Sequence, residues 1–170
     1  SNLDAKLRIE LRSEIRRICK SSGITTVYVT HDQKEALSMA DRVAIIRAGK
    51  VEQLGTPSEL YRRPRDRFVA EFLGETNFIE GQVSTANGAL SVHTTAGDLT
   101  AARFEHSPES GSVVCSVRPE SIRLVQPGAP GSLPATRLET TYLGETAQHL
   151  IELKGDIRLK VAELNPAEIR

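Results

Sequence analysis

The sequence has few of the residues that several functional classes require. Only 4% of its 170 residues are aromatic, and tryptophan is absent. Proteins that bind single-stranded nucleic acid stack the bases on aromatic side chains in a basic groove. The longest uninterrupted apolar run covers only residues 43–46, whereas a membrane-spanning helix needs about 20 apolar residues. These 170 residues therefore offer neither a nucleic-acid-binding groove nor a membrane span, and no nucleic-acid partner is expected.

Cysteine is scarce as well, and the net charge is zero. Cys19 and Cys115 lie far apart without C-x-x-C spacing, so neither a metal site nor a disulfide framework is expected and a reducing cytosol is the simplest setting. Residues 1–76 contain 14 Lys and Arg against 11 Asp and Glu, a charge of +3, and residues 77–170 contain 8 against 11, a charge of −3. The weakly basic first half suits phosphate ligands or an acidic partner.

The first 76 residues have the pattern of an α/β protein. A helix that ends near Ser22 is expected to begin with Asp4 as its N-cap, with a solvent-facing row of basic residues spaced four apart. The segments 26–30 and 43–48 are largely apolar, as parallel strands covered on both faces are. Further helices are expected after Thr56 and Asp66, which can serve as N-caps. The basic row consists of Arg8, Arg12, Arg16 and Lys20.

From Asn77 onward the hydrophobic period is two rather than 3.6. The pattern predicts five to seven short strands separated by turn residues, and hence a small antiparallel barrel. Asn87 and Gly88 fit a type I′ hairpin turn, and Gly155 with Asp156 fits another two-residue turn. The expected fold is therefore an α/β unit followed by an all-β barrel.

The segment VTHDQ (29–33) is the main candidate for chemistry. It places His31 at the carboxyl end of an expected strand, where open α/β sheets bind their ligands. Asp32 can cap the next helix, with Glu35 completing a pair like that of a capping box. His31 is then free to reach a phosphate or a water molecule, unless it only packs. A hydrolase that pairs His31 with Asp32 is a weaker alternative, because no G-x-S-x-G nucleophile elbow occurs.

Several segments, read in order, resemble the ATP-binding subunits of ABC importers. SNLDAKLR (1–8) resembles their D-loop, and VTHDQ resembles their switch-histidine segment. ADRVAII (40–46) and GKVEQLGTP (49–57) resemble the sequence that follows the histidine. FLGETN (72–77) and VRPESI (117–122) resemble the accessory TOBE domain, an oligonucleotide-binding-like barrel, of the branch that imports maltose, glycerol phosphate, polyamines and ferric iron.

This resemblance implies two domains, the end of a nucleotide-binding domain in residues 1–76 and a TOBE barrel in residues 77–170. It implies that His31 contacts the γ-phosphate of ATP and holds the attacking water. The D-loop would place Asp4 at the interface of two subunits around the nucleotide, where it helps to align that water. The other residues of the loop are Ser1, Asn2 and Leu3.

The resemblance also implies cofactors, partners and a location. ATP and Mg²⁺ would be the cofactors of the intact subunit, and its partners would be a second copy and the transmembrane permease subunits. The subunit would be cytoplasmic, on the inner face of the plasma membrane. Within the barrel, Arg118, Pro119 and Glu120 form a motif that can either pair internally or bind a regulatory ligand. The segment 72–78 looks more like the polyamine and iron branches than the maltose branch.

Three motifs of a complete ATPase do not occur in the sequence. There is no G-x-x-x-x-G-K-[ST] phosphate loop, no Leu-Ser-Gly-Gly-Gln-type signature and no apolar strand ending in Asp-Glu. ATP hydrolysis requires a phosphate cradle and a carboxylate that holds Mg²⁺. We therefore expect these residues to be the C-terminal part of an ATPase subunit and to be inactive alone. The alternative is a regulatory barrel that binds a small solute or an oxyanion.

Overall fold

The computed structural model divides into two compact units, Ser1–Gly74 and Glu75–Arg170. It describes residues 2–86, 89–100 and 111–166, without the side chains of residues 2–6, 85, 86, 89 and 100. The sequence pattern predicts a domain boundary between residues 76 and 77, which lies two residues after the boundary between the two compact units. Each unit has its own apolar core.

The first unit contains four helices and one β-hairpin among its described residues. In chain order the elements are α1 (Asn2–Ser22), α2 (Gln33–Met39), β1 (Val43–Arg47), β2 (Lys50–Gly55), α3 (Pro57–Arg62) and α4 (Arg67–Phe72). The core lies between β1 and the last two helices, where Leu60 and Val69 are fully buried against Val43 and Ile45. The apolar face of α1 is different, because Leu7, Leu11 and Ile18 remain exposed.

The strand β1 forms as predicted, but its pairing and burial differ from the prediction. It pairs antiparallel with β2, from Val43 opposite Gly55 to Arg47 opposite Lys50. Only alternate residues of β1 are buried, so one face is covered rather than two. A tight turn connects the two strands, and both of its central residues, Ala48 and Gly49, have positive φ.

The predicted strand over 26–30 is wrong for this structure. No ladder includes these residues within the described part of the chain. Val27 and Val29 are 87% and 91% exposed. A β-branched run becomes a strand only when a neighbouring strand satisfies its backbone groups, and no described segment lies beside it in that way.

The helix starts were predicted more accurately, because their signals are local. Thr56 accepts a hydrogen bond from the Glu59 amide, and the Glu59 carboxylate accepts one from the Thr56 amide, which completes a capping box. Asp66 caps α4 through the Val69 amide at 2.9 Å. Pro57 occupies the first position of α3, where its fixed φ suits the helix.

The second unit contains seven described strands in two antiparallel sheets. They are β3 (Asn77–Ala86), β4 (Ala89–Thr94), β5 (Gly97–Thr100), β6 (Gly111–Val117), β7 (Ala135–Tyr142), β8 (Thr146–Leu153) and β9 (Ile157–Leu164). The first sheet has the order β5-β4-β3-β6 and the second β7-β8-β9. A short 3-10 turn, Pro119–Ser121, follows β6. Between residues 77 and 166, the described ladders do not join these two sheets into the single closed sheet that was predicted.

The core of the second unit lies between these two sheets. Ile79 of β3 packs with Ile151 and Leu153 of β8 and with Leu159 and Val161 of β9. The alternation predicted for β9 is confirmed, because Leu159 and Val161 are buried while the basic residues between and before them are exposed. The alternation of apolar and polar residues with a period of two therefore correctly indicated half-buried strands.

Two predicted turns have different outcomes. Residues 87 and 88 lie outside the described part of the chain, although the flanking strands pair from Gln82 opposite His93 to Ala86 opposite Ala89. Between β8 and β9 the turn has three residues rather than two, because Leu153 pairs with Ile157. Among the described residues, no helix is both long and apolar enough to cross a membrane.

Candidate functional site

His31 lies immediately before α2, at the point where the chain enters the helix. Asp32 is the N-cap, and its Oδ1 accepts hydrogen bonds from the amides of Lys34 at 2.8 Å and Glu35 at 3.2 Å. This fixes the backbone beside His31, whose side chain is exposed. Within the described part of the chain the imidazole has no hydrogen-bond partner. It is therefore held by its neighbours and remains available to a ligand.

The predicted capping-box-like pair of Asp32 and Glu35 forms only in part, because Asp32 accepts from the Glu35 amide but the reciprocal bond to the Glu35 carboxylate is not made. The Asp32 amide, which such a box would bond to Glu35, instead donates to Thr30 Oγ1 at 3.0 Å. Thr30 Oγ1 in turn donates to Glu35 Oε2 at 2.7 Å, so the hydroxyl lies between the two groups. The other oxygen of Glu35 accepts from Arg12 Nη2 at 2.9 Å. The Thr30 hydroxyl thus replaces the direct bond between the Asp32 amide and Glu35, and a tertiary ion pair with Arg12 uses the other carboxylate oxygen.

Arg12 joins α1 to both acidic residues at the start of α2. Its Nη2 lies 3.0 Å from Asp32 Oδ2 and 2.9 Å from Glu35 Oε1. The side chains of Arg12 and Glu35 are only 18% and 19% exposed, which limits the screening of their charges by water. Thr30 and Asp32 flank His31 in the sequence. We call the group of Arg12, Thr30, Asp32 and Glu35 the His31 cluster.

Both carboxylates of the His31 cluster are stabilised in the ionised form. Hydrogen bonds from the Glu35 amide, the Lys34 amide and the Arg12 guanidinium lower the pKa of Asp32. The Thr30 hydroxyl and Arg12 lower the pKa of Glu35 in the same way, with a further contribution from Tyr28. Acceptor groups with lowered pKa values are poor general acids. Asp32 and Glu35 are therefore suited to hold His31 in place rather than to transfer protons.

The basic row of α1 was predicted to face solvent; Arg8 and Lys20 are exposed, whereas Arg12 and Arg16 are partly buried. Arg12 contacts α2, as described. Arg16 donates to the Met39 carbonyl, and Lys20 Nζ lies 2.7 Å from Asp41 Oδ2. Spacing of four residues places these cations along one side of a helix. That side faces the acidic groups of residues 32–41, which no pattern within α1 itself could indicate.

The predicted D-loop residues are only partly described. Ser1 lies outside the described residues, and so do the side chains of Asn2, Leu3 and Asp4. The helix α1 begins at Asn2, so Asp4 lies within its first turn rather than ahead of it. The prediction that Asp4 is the N-cap of α1 is therefore wrong, whereas its role at a subunit interface stays a prediction.

The Arg118–Pro119–Glu120 motif lies at the end of β6. Arg118 is 9% exposed, and its Nη1 donates to the Glu75 carbonyl at 3.0 Å. Pro119 is buried and begins the 3-10 turn, whereas Glu120 is exposed. The guanidinium of Arg118 is thus used to fix the first residues of the second unit, as internal pairing requires. A ligand-binding role for this motif stays a prediction.

Two histidine arrangements in the strands were not predicted. In the first sheet, His93 Nε2 lies 2.6 Å from Ser84 Oγ and its Nδ1 lies 2.6 Å from Asp98 Oδ1. In the second sheet, buried His149 lies between Thr140 and Glu163. Strand register was the missing signal, since His93 is opposite Asp98 and His149 is opposite Thr140. His106 lies outside the described residues.

Neither histidine arrangement has the surroundings of a hydrolytic site. His93 and Asp98 are 50% and 67% exposed, so water competes for each hydrogen bond on an open sheet face. His149 is buried, but its partner in β7 is a threonine of the sheet ladder. No group of His, Cys, Asp and Glu suited to a metal ion occurs among the described residues. The His31 cluster is thus the arrangement best placed to serve a ligand.

Comparison with known proteins links the chain to import ATP-binding proteins. The TOBE domain family matches residues 115–170. The spermidine/putrescine import ATP-binding protein PotA 1 of Pseudomonas aeruginosa is 41% identical over 167 residues, which cover 97% of this chain and 45% of that protein. The sn-glycerol-3-phosphate import ATP-binding protein UgpC 1 of Rhizobium johnstonii is 45% identical over 139 residues, 80% of this chain and 37% of that protein.

A third relative is named for another kind of solute. The Fe(3+) ions import ATP-binding protein FbpC of Fusobacterium nucleatum is 35% identical over 163 residues, 96% of this chain and 43% of that protein. The chain thus spans less than half the length of each of these three relatives. The relationship expected from the sequence motifs is confirmed: the chain is homologous to the C-terminal part of the ATP-binding subunits of ABC importers, and its residues 115–170 match the TOBE domain family.

Proposed function

We propose that the chain acts as the C-terminal part of a subunit that hydrolyses ATP to drive solute import, with His31 as the residue that contacts the γ-phosphate. The observation that carries this proposal is the exposed imidazole held at the start of α2 between two anchored residues, Thr30 and Asp32. A neutral or protonated imidazole in that place can orient a water molecule and stabilise charge on the phosphate. ATP and Mg²⁺ are the cofactors of the complete subunit.

The division of labour follows the two units. Residues 1–76 form the end of the nucleotide-binding domain, an α/β fold, and residues 77–170 form the TOBE domain, whose two sheets share one core. Asp4, with Ser1, Asn2 and Leu3, belongs to the loop at the interface with a second copy of the subunit. Transmembrane permease subunits are the other partners, and the assembly lies on the cytoplasmic face of the plasma membrane.

The imported solute is a polyamine or another small charged solute. Relatives named for spermidine/putrescine, sn-glycerol-3-phosphate and Fe(3+) ions match this chain at 41%, 45% and 35% identity. Identity thus does not follow the solute, and import by ATP hydrolysis is the property that their names share. The chain alone is inactive, because its sequence contains neither the phosphate loop nor the Mg²⁺ carboxylate that hydrolysis requires.

The test uses a hybrid subunit in which this chain replaces the matching segment of the P. aeruginosa relative. We expect His31→Ala to leave ATP binding intact and to lower kcat about 10²- to 10³-fold, the usual scale for one preorganised transition-state contact. His93→Ala is the control and should change kcat by less than about twofold, because it lies in the second unit. A His31→Ala hybrid with half the wild-type turnover would contradict the proposal.

A further inference from the structure

We propose that Arg12 is the positioning residue for His31, and that it links the helix α1 to the switch-histidine segment. This inference rests on the proposed function of His31. Arg12 makes no described contact at the place where the nucleotide is expected to bind. It acts instead through Asp32 and Glu35. Because α1 begins in the predicted D-loop, the same contact connects two parts of the expected catalytic site.

The contact is a fork that holds two carboxylates with one guanidinium. Nη2 of Arg12 bonds to Asp32 Oδ2 at 3.0 Å and to Glu35 Oε1 at 2.9 Å, and Nε lies 3.3 Å from the same Glu35 oxygen. The second oxygen of each carboxylate is not used by Arg12 and accepts hydrogen bonds from other groups. Arginine is suited to this arrangement because its donors lie in a rigid plane, whereas a lysine ammonium is a single point charge on a flexible stem.

The second oxygens of the two carboxylates fix the chain on both sides of His31. On the C-terminal side, Asp32 Oδ1 caps the amides of Lys34 and Glu35. On the N-terminal side, Glu35 Oε2 accepts from Thr30 Oγ1, which itself accepts from the Asp32 amide. His31 is therefore the single residue between two anchored neighbours, and both anchors depend on carboxylates that Arg12 orients.

Removal of Arg12 would have a specific electrostatic effect. Asp32 and Glu35 would keep their negative charges but lose the cation between them, and like charges that are partly buried repel each other strongly. Tyr28 and Thr30 would still donate to Glu35, so the segment would retain some of its hydrogen bonds. The expected result is a loosened His31 segment in an otherwise folded unit.

The position of Arg12 along α1 determines how far the His31 cluster lies from the start of the helix. Arg12 lies ten residues beyond Asn2, the first residue of α1, and a helix rises about 1.5 Å per residue. The helix therefore connects the D-loop segment to the His31 cluster across about 15 Å. A shift of α1 along its axis would move the fork and hence the anchors of His31.

The first experiment measures kcat and KM for ATP in the hybrid subunit. We expect Arg12→Met to lower kcat about 10- to 100-fold, the scale of a misplaced catalytic group, with KM changed by less than about twofold because the variant touches no nucleotide contact. The kcat of Arg12→Lys should lie between those of Arg12→Met and the wild type. Arg16→Met is the matched control, since Arg16 lies one turn further along α1 and contacts Met39 and Asp41 instead; it should retain wild-type kcat.

A double variant separates a positioning role from a structural one. If Arg12 acts only through His31, adding Arg12→Met to His31→Ala should lower kcat no further, because the effects of residues that act as a unit do not add. A further 10-fold loss in the double variant would contradict the inference. Wild-type activity of His31→Ala would instead overturn the proposed function, and an active Arg12→Met beside an inactive His31→Ala would overturn the inference alone.

The second experiment uses the 170-residue chain itself and does not depend on activity. Amide hydrogen exchange at Asp32 and Lys34 reports the two anchors, since these amides donate to Thr30 Oγ1 and Asp32 Oδ1. We expect Arg12→Met to speed exchange at both amides about 10-fold or more, as local opening of a contact does, while Arg16→Met leaves them unchanged. Equal exchange in Arg12→Met and wild type would overturn the inference, even if the hybrid subunit proved inactive.

Discussion

The side-chain amide of Asn77 connects the two sheets of the second unit. Its Nδ2 donates to the carbonyls of Val117 at 3.1 Å and Lys160 at 2.9 Å, and its Oδ1 accepts from the Lys160 amide at 2.7 Å. Asn77 is 7% exposed. One amide therefore provides hydrogen bonds at a place where β3 and β9 have no ladder between them.

Replacement of Asn77 should destabilise the second unit. Asn77→Ala leaves the Lys160 amide and two carbonyls without their partner, and a buried polar group without a partner costs about 1–3 kcal/mol. We expect the free energy of unfolding, measured by urea denaturation, to fall by about that amount. Gln148→Ala is the control, because Gln148 is an exposed amide on β8, and should change stability by less than about 0.5 kcal/mol. Equal effects of the two variants would refute this role of Asn77.

Contacts close in sequence were predictable and distant ones were not. Asp32 was recognised as an N-cap because its partners lie two and three residues away. Its other partner, Arg12, lies 20 residues away, and Asn77 bonds across 83 residues. Helix caps have a composition signal at fixed spacing, whereas a tertiary hydrogen bond has none until the fold is known.

At the scale of elements, ion pairs connect α1 to α2, while several apolar side chains of α1 remain exposed. The contacts between them include the fork of Arg12, while the apolar side chains Leu7, Leu11 and Ile18 of α1 are exposed. Because hydrogen bonds and Arg12 lower the pKa values of Asp32 and Glu35, folding stabilises their ionised forms. Their contribution is present above their ordinary pKa values of about 4 and is lost as the pH falls through the lowered values.

Acid should therefore loosen the start of α2. We expect amide exchange at Lys34, corrected for the intrinsic rate at each pH, to be equally protected at pH 7 and 5 and to lose protection below about pH 4. The double variant Asp32→Asn with Glu35→Gln keeps similar shapes but cannot titrate, so its protection should not depend on pH in this range. Protection of the wild-type amide at pH 3 equal to that at pH 6 would contradict the prediction.

The same scale shows why some predicted elements failed. The N-cap of α3 at Thr56 formed as predicted because all of its atoms belong to four consecutive residues. The run over 26–30 and the expected parallel pairing of β1 depended on neighbours that no described segment provides. Strand preference reflects packing against other strands more than an intrinsic backbone preference. The sequence therefore identified β-branched segments correctly but could not specify their partners.

Considered as a whole, the described molecule exposes apolar side chains mainly in its first unit. Leu7 and Leu11 of α1 are 62% and 56% exposed, and Ile24, Val27 and Val29 follow in the next segment. Larger exposed apolar areas commonly mark places where another protein surface binds. Self-association of the chain is the expected consequence.

We expect the purified chain to form dimers at micromolar concentration. Sedimentation equilibrium across about 10–100 µM, the range in which exposed hydrophobic surface promotes association, should give a mass above the 18.6 kDa of one chain. Val27→Lys with Val29→Lys should weaken the association. Val125→Lys is the control, since Val125 is exposed but lies in the second unit. A monomer throughout this range would disprove the prediction.

The regular spacing of the cations on α1 has one more consequence. Arg8, Arg12, Arg16 and Lys20 repeat every four residues, which is close to one helical turn of about 5.4 Å. A translation of α1 by one turn would bring Arg8 or Arg16 to the place of Arg12, so charge alone does not determine the register of this helix. The register must therefore be determined by contacts that are not repeated along the helix, such as the hydrogen bond from the Thr26 hydroxyl to the Cys19 thiol.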